Sequence, residues 1–173
     1  MMTSGRPDPQ LPAPSKPVAR EGVTRVRVRY CECDPMGVAH HAAYLPWLEM
    51  ARTELLRDAG VTYAQMEASG VFLVIVKVEA SYRLPAFYDD EIDVRVKVVG
   101  GSRIKIRHEY EVVRASSAAG GAGGGGGGIT PARKLGAGDV VMTASTLLAC
   151  VDRTGRPAAL PEWLCGNGQR GED

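Results

Sequence analysis

The chain has 173 residues, 45% of them apolar and 6% aromatic, with 21 basic and 20 acidic side chains and a formal net charge of +1. That length suits one domain. The charge balance supplies no field for nucleic acid or a strongly charged partner, and the aromatic content is poor for stacking single-stranded bases.

No apolar run is long enough to span a bilayer, and no apolar segment follows the first charges as a secretory signal requires. Cys31, Cys33, Cys150 and Cys165 are therefore read as free thiols of a cytoplasmic protein. Cys31 and Cys33 form a C-x-C spacing with no second pair and no ligand cluster beside it, which argues against zinc.

Residues 1–21 hold five prolines and few large apolar groups, and read as a disordered leader. Val23 to Tyr30 alternates, with Val26, Val28 and Tyr30 on one face and Arg25, Arg27 and Arg29 on the other, the pattern of a strand with one wet face. The arginine stripe reads as a solvated or subunit-facing surface rather than an anion site.

A polar loop then carries Asp34 and Gly37, followed by His40, His41 and the start of a helix. Tyr44, Trp47, Leu48, Ala51 and Leu55 fall on one helical stripe, and Pro46 is tolerated only in a first turn. The helix is thus predicted from near Tyr44 to Ala59, with Gly60 as a left-handed cap. Tyr63 to Ala68 reads as a short second helix. An acid, a flexible glycine and a helix N-terminus meet in this stretch, and such a terminus presents unpaired N–H groups and a partial positive charge.

Three β-type runs follow: Val71 to Leu84, Ile92 to Val99, and Ile104 to Val112. Turns at Pro85 to Asp90 and at Gly100-Gly101 predict an antiparallel meander. Residues 115–138 form a Gly-rich insert with a run of six glycines, lacking the phosphate-loop pattern and read as a flexible loop. Asp139 to Val151 is the last strand, Leu160 to Leu164 packs back as a terminal turn, and residues 166–173 are tail. The result is an α+β two-layer domain over residues 22–165, whose uncovered sheet edges and second face call for another subunit.

The string Tyr30-x-x-x-Asp34-x-x-Gly37-Val38-x-x-His41-x-x-Tyr44-x-x-Trp47-x-Glu49-x-Ala51-Arg52 resembles the signature of hot-dog-fold acyl-CoA thioesterases. The subgroup it resembles is that of 4-hydroxybenzoyl-CoA thioesterase and the YbgC-like enzymes. Weaker support comes from Tyr82, Pro85, the Tyr88-Asp89-Asp90 segment and the Asp152-x-x-Gly155-Arg156-Pro157 ending.

The resemblance implies a long helix wrapped by a five-stranded antiparallel sheet, a homodimer or tetramer with active sites between subunits, and a coenzyme A thioester as substrate. It implies that Asp34 is the catalytic carboxylate, as nucleophile or general base. It further implies that the His41 backbone N–H is an oxyanion donor, that Tyr30 is an active-site tyrosine, and that Gly37 and Val38 line the substrate. No metal or organic cofactor is implied. The sequence departs from the family at Ala43, where Asn is usual, and at Ala39-His40.

Alternatives remain open at this point. Asp34 before a proline is by itself a turn residue, and Tyr30 by itself a core residue. Glu49 and Glu54 suit a subgroup whose carboxylate lies on the helix. The acyl group could be delivered by acyl carrier protein, or the module could bind acyl-CoA without catalysis.

Overall fold

A computed structural model describes residues 10–116 and 135–165. In chain order it has β1 (Glu21–Arg27), α1 (Tyr44–Asp58), α2 (Tyr63–Ala68), β2 (Phe72–Tyr82), β3 (Glu91–Gly101), β4 (Lys105–Ser116), β5 (Val140–Val151) and α3 (Glu162–Cys165). Short 3-10 turns occupy Tyr30–Glu32 and His41–Ala43. The strands form one antiparallel five-stranded sheet in the order β1-β3-β4-β5-β2.

Helix α1 lies on one face of this sheet, against β1 and β3. Its predicted stripe is the buried one: Tyr44, Trp47, Leu48, Ala51 and Leu55 are all within the core. They meet Val94, Val96, Ile106, Tyr110, Val112, Met142 and Leu148 from the sheet. Burying each large side chain contributes roughly 1.5–3 kcal/mol, so this face supplies most of the reason for α1 to form. The helix stops at Gly60, whose φ is +86°. Gly60 N–H donates to Arg57 O and Val61 N–H to Leu56 O, the paired bonds of a Schellman cap.

The leader is not wholly apart from the domain. Ser15 donates from both its amide (2.8 Å) and its hydroxyl (3.0 Å) to Ala59 O at the end of α1. Arg20 O accepts from Val98 N at 2.7 Å, and Glu21 already belongs to β1. The Gly-rich segment falls largely at residues 117–134, outside the described residues, as do most of the tail and the first nine residues.

Two expectations are corrected. The run from Val71 to Val112 is not a continuous meander: β3, β4 and β5 are, but β2 pairs with β5 at the far edge. Turn residues between two alternating strands show that the chain reverses, not which neighbour the next strand meets. The segment from Pro85 to Asp90 therefore crosses from one edge of the sheet to the other side.

Secondly, Tyr30 does not continue the first strand. The strand ends at Arg27, and Tyr30 stands in the following 3-10 turn, 81% exposed. The turn is imposed by Glu32, whose carboxylate accepts from the Arg29 amide at 2.7 Å.

Arg25 pairs with Asp93, Arg27 with Asp89 and Glu91, and Arg95 with Glu111, so the arginine stripe is neutralised across neighbouring strands. Such exposed pairs stabilise little, but they make the face compatible with water.

Candidate active site

The predicted loop is a tight hairpin. Cys33 bridges Ala39, Asp34 N donates to Val38 O at 2.9 Å, and Gly37 N donates to Asp34 O at 2.9 Å. Asp, Pro and Gly thus occupy the first, second and fourth places of a β-turn, where each is favoured. Gly37 has φ +77°, which a residue with a side chain adopts only at a cost. Asp34 is half-buried, and its Oδ1 accepts from Met36 N at 2.8 Å. Its Oδ2 has no hydrogen-bond partner among the described residues. One oxygen therefore holds the turn and the other is uncommitted among the described residues.

The base of the hairpin is the start of the helical segment, where each amide can be followed. His40 N donates to Glu32 O at 2.8 Å, and Ala43 N to His40 O at 2.8 Å. Ala42 N donates to the His40 Nδ1 at 3.2 Å, so His40 is the N-cap of this turn. His41 N alone in this run has no acceptor among the described residues. The two imidazoles stack with centroids 4.0 Å apart, and His41 is exposed.

Two anchors that sequence reading missed hold the hairpin in place. Glu32 is 8% exposed and accepts from the Arg29 side chain (2.8 Å) and the Trp47 Nε1 (3.0 Å), tying the hairpin to α1. Burial alone raises its pKa, but the hydrogen bonds from Arg29 and Trp47 outweigh that and leave it below the ordinary carboxylate value.

The second anchor is the crossover from β2 to β3. Ala39 N donates to Ala86 O at 2.8 Å, and Val38 bridges Phe87. Asp90 accepts from Phe87 N at 2.7 Å and forms a fully buried ion pair with Arg114, which also donates to Pro85 O at 2.6 Å. A clue existed in the isolated arginine on an otherwise apolar strand face at Val112 to Arg114, but its partner is 24 residues away.

The remaining candidates are placed as follows. Val38 is 8% exposed and offers the site its backbone. Tyr30 packs edge-on against Tyr88, centroids 5.8 Å apart, and no hydrogen bond joins it to Asp34 or His41 among the described residues. Glu49 pairs with Arg52 at 3.1 Å and Glu54 with Arg57, so both helix carboxylates are engaged by neighbours one turn on. No group of three or more metal-ligating side chains occurs among the described residues. An open depression of about 420 Å³ on the outer face, lined by Val23, Arg95, Lys97, Glu109 and Glu111, shares no residue with the hairpin.

One five-stranded antiparallel sheet packed against a single long helix is the architecture of the hot-dog class of α+β proteins. The model of the thioesterase-like superfamily matches residues 28–167, and the chain belongs to that family. It is 29% identical over 143 residues to a putative acyl-CoA thioesterase, YneP, of Bacillus subtilis, covering 80% of this chain and 88% of that one. It is 30% identical over 92 residues to the acyl-CoA thioester hydrolase YbgC of Escherichia coli, covering 53% of this chain and 69% of that one. Among solved structures it superposes on a DHNA-CoA thioesterase from Staphylococcus aureus with a TM-score of 0.66 at 27% identity, covering 81% of this chain and 80% of that one. No helix of the described residues is long and apolar enough to cross a membrane.

Proposed function

We propose that this chain hydrolyses acyl-CoA thioesters to free acid and coenzyme A, with Asp34 and the His41 amide as the reacting pair. The observation that carries this is the hairpin: Asp34 Oδ1 is committed to Met36 N, and the His40, Ala42 and Ala43 amides are committed to Glu32 O, His40 Nδ1 and His40 O, while Asp34 Oδ2 and the His41 amide have no hydrogen-bond partner among the described residues. From the pairing of Asp34 with Val38 to that of Glu32 with His40, the two groups lie at opposite ends of one ribbon.

The thioester carbonyl oxygen accepts the His41 N–H, which stabilises the developing oxyanion. Asp34 Oδ2 either takes a proton from water as the water attacks, or attacks directly to give a mixed anhydride that water then opens. Both routes form the C–O bond, break the C–S bond and return the proton to the departing thiolate. The thiolate is a good leaving group, so no metal or organic cofactor is needed.

Coenzyme A is favoured over acyl carrier protein because the relatives in Bacillus subtilis and Escherichia coli are named for acyl-CoA. A cytoplasmic setting suits the unpaired, exposed Cys31 thiol. Self-association as a homodimer or tetramer is supported by β2, an edge strand that exposes Val74, Ile75, Val76 and Val78.

The test is thiol release from a panel of CoA and carrier-protein thioesters. Wild type is expected to turn over CoA thioesters, and Asp34→Asn to lose roughly 100–10,000-fold in kcat. Full turnover by that variant would remove the mechanism, and a wild-type protein that binds but never cleaves would favour a binding module.

A further inference from the structure

Strand β2 ends at the hairpin. The Tyr82 hydroxyl donates to the His41 carbonyl oxygen at 2.9 Å. Its ring stands edge-on to that of Tyr44, with centroids 5.3 Å apart and planes at 76°. Tyr44 opens α1 and is 2% exposed, so Tyr82, itself 48% exposed, is braced from the core side. No catalytic step described above uses this contact.

We propose that Tyr82 is a positioning residue: by holding the His41 carbonyl, it fixes the direction in which the His41 amide points. This rests on the reading that the His41 N–H is the oxyanion donor. Peptide units are planar, so only φ and ψ of a residue let one unit swing against the next. On the N-terminal side, the His40 amide is tied to Glu32 O. On the C-terminal side, the 41–42 unit is tied through its oxygen to Tyr82 and through its nitrogen to the His40 ring. The 40–41 unit that carries the His41 N–H is itself held through the His40 oxygen by Ala43 N at 2.8 Å, and with the units on both sides also held it has nowhere to turn.

The Tyr82 bond polarises the 41–42 unit, not the 40–41 unit, so it sets the aim of the donor rather than its strength. Preorganised aim is what an oxyanion donor contributes, and a misplacement of about 1 Å can cost about 100-fold in rate. Because Tyr82 terminates the exposed edge strand, whatever orders β2 also orders the donor.

The test compares Tyr82→Phe and Tyr82→Leu in the full chain with wild type. Tyr82→Phe removes only the hydroxyl and keeps the ring against Tyr44. Its kcat is expected to fall roughly 10–100-fold with KM within about twofold, at unchanged melting temperature. The backbone order parameter of the His41 amide is expected to drop from a rigid value of about 0.85 towards 0.6.

Tyr82→Leu is expected to show the same loss in kcat and a lower melting temperature as well. Unchanged kcat in Tyr82→Phe, a rise in KM alone, or a loss seen only in Tyr82→Leu would overturn the proposal. A wild type idle on every thioester would defeat the donor reading alone. The order parameter would then still decide whether Tyr82 fixes the amide.

Discussion

The two edges of the sheet solve the same problem in opposite ways. Strand β1 exposes Val23 singly and otherwise turns Arg25 and Arg27 outward, each answered by an acid on β3 or in the crossover. Strand β2 exposes a run of branched apolar residues, Val74, Ile75, Val76 and Val78, broken by a register shift between Ile75 and Lys77. The first edge is stable in water as it stands, and the second is a surface that gains by being covered. The candidate site hangs between them, since its hairpin follows β1 while the Tyr82 hydroxyl arrives from the end of β2. The comparison teaches that one edge of the sheet is finished for water by paired charges while the other leaves branched apolar side chains exposed.

The largest expected effect strikes the crossover that joins the edges. Arg114→Met removes one partner of the buried Arg114–Asp90 ion pair, and breaking such a pair costs about 3–5 kcal/mol. Urea denaturation measures this, and a loss below 1 kcal/mol would mean that the pair does not brace the crossover.

Next comes His108, on the inner face of β4 between the edges. Burial first, then the charges of Arg52 and Arg20, push its pKa down to about 4 from 6.5. A base whose folded pKa is depressed stays neutral in the fold while the unfolded chain takes up a proton. Stability is therefore full above about pH 6.5 and is lost progressively as pH falls towards 4, by roughly 3 kcal/mol in all. His108→Phe should flatten the stability profile in that window, and an unaltered slope would assign the loss to other groups.

The edges themselves are contrasted by matched substitutions. Ile75→Lys with Val76→Lys on β2 should weaken self-association at least about tenfold in Kd, equivalent to 1.4 kcal/mol, read by light scattering across a dilution series. Val23→Lys on β1 should leave the mass unchanged. If both or neither dissociate the assembly, β2 is not the interface. The smallest effect belongs to Arg25→Ala, because an exposed pair with Asp93 should leave the denaturation midpoint where it was.

Much of this molecule was legible residue by residue. The stripe from Tyr44 to Leu55 and the cap at Gly60 announced α1, and period-two alternation announced four of the five strands to within a few residues. The Asp34-Pro35-Met36-Gly37 turn was readable because its backbone preferences are local. Tyr30 misled because alternation continues through Arg29 while the turn is set by Glu32, whose partners Arg29 and Trp47 meet only in the fold. The pairing of β2 was illegible for a related reason, since an apolar alternating strand suits any neighbour with a matching face.

What the sequence determined by itself was the inventory: one amphipathic helix, alternating strands, and a carboxylate and a helix start set close together on the chain. These follow from periodicity and turn chemistry, which act over a few residues. Only the tertiary structure decided that β2 takes the far edge, that Asp90 finds Arg114, and that Tyr82 reaches the His41 carbonyl 41 residues earlier in the chain. The physical reason is that hydrogen bonds and ion pairs between distant residues depend on which surfaces meet when the core closes. Local propensity carries no record of that choice.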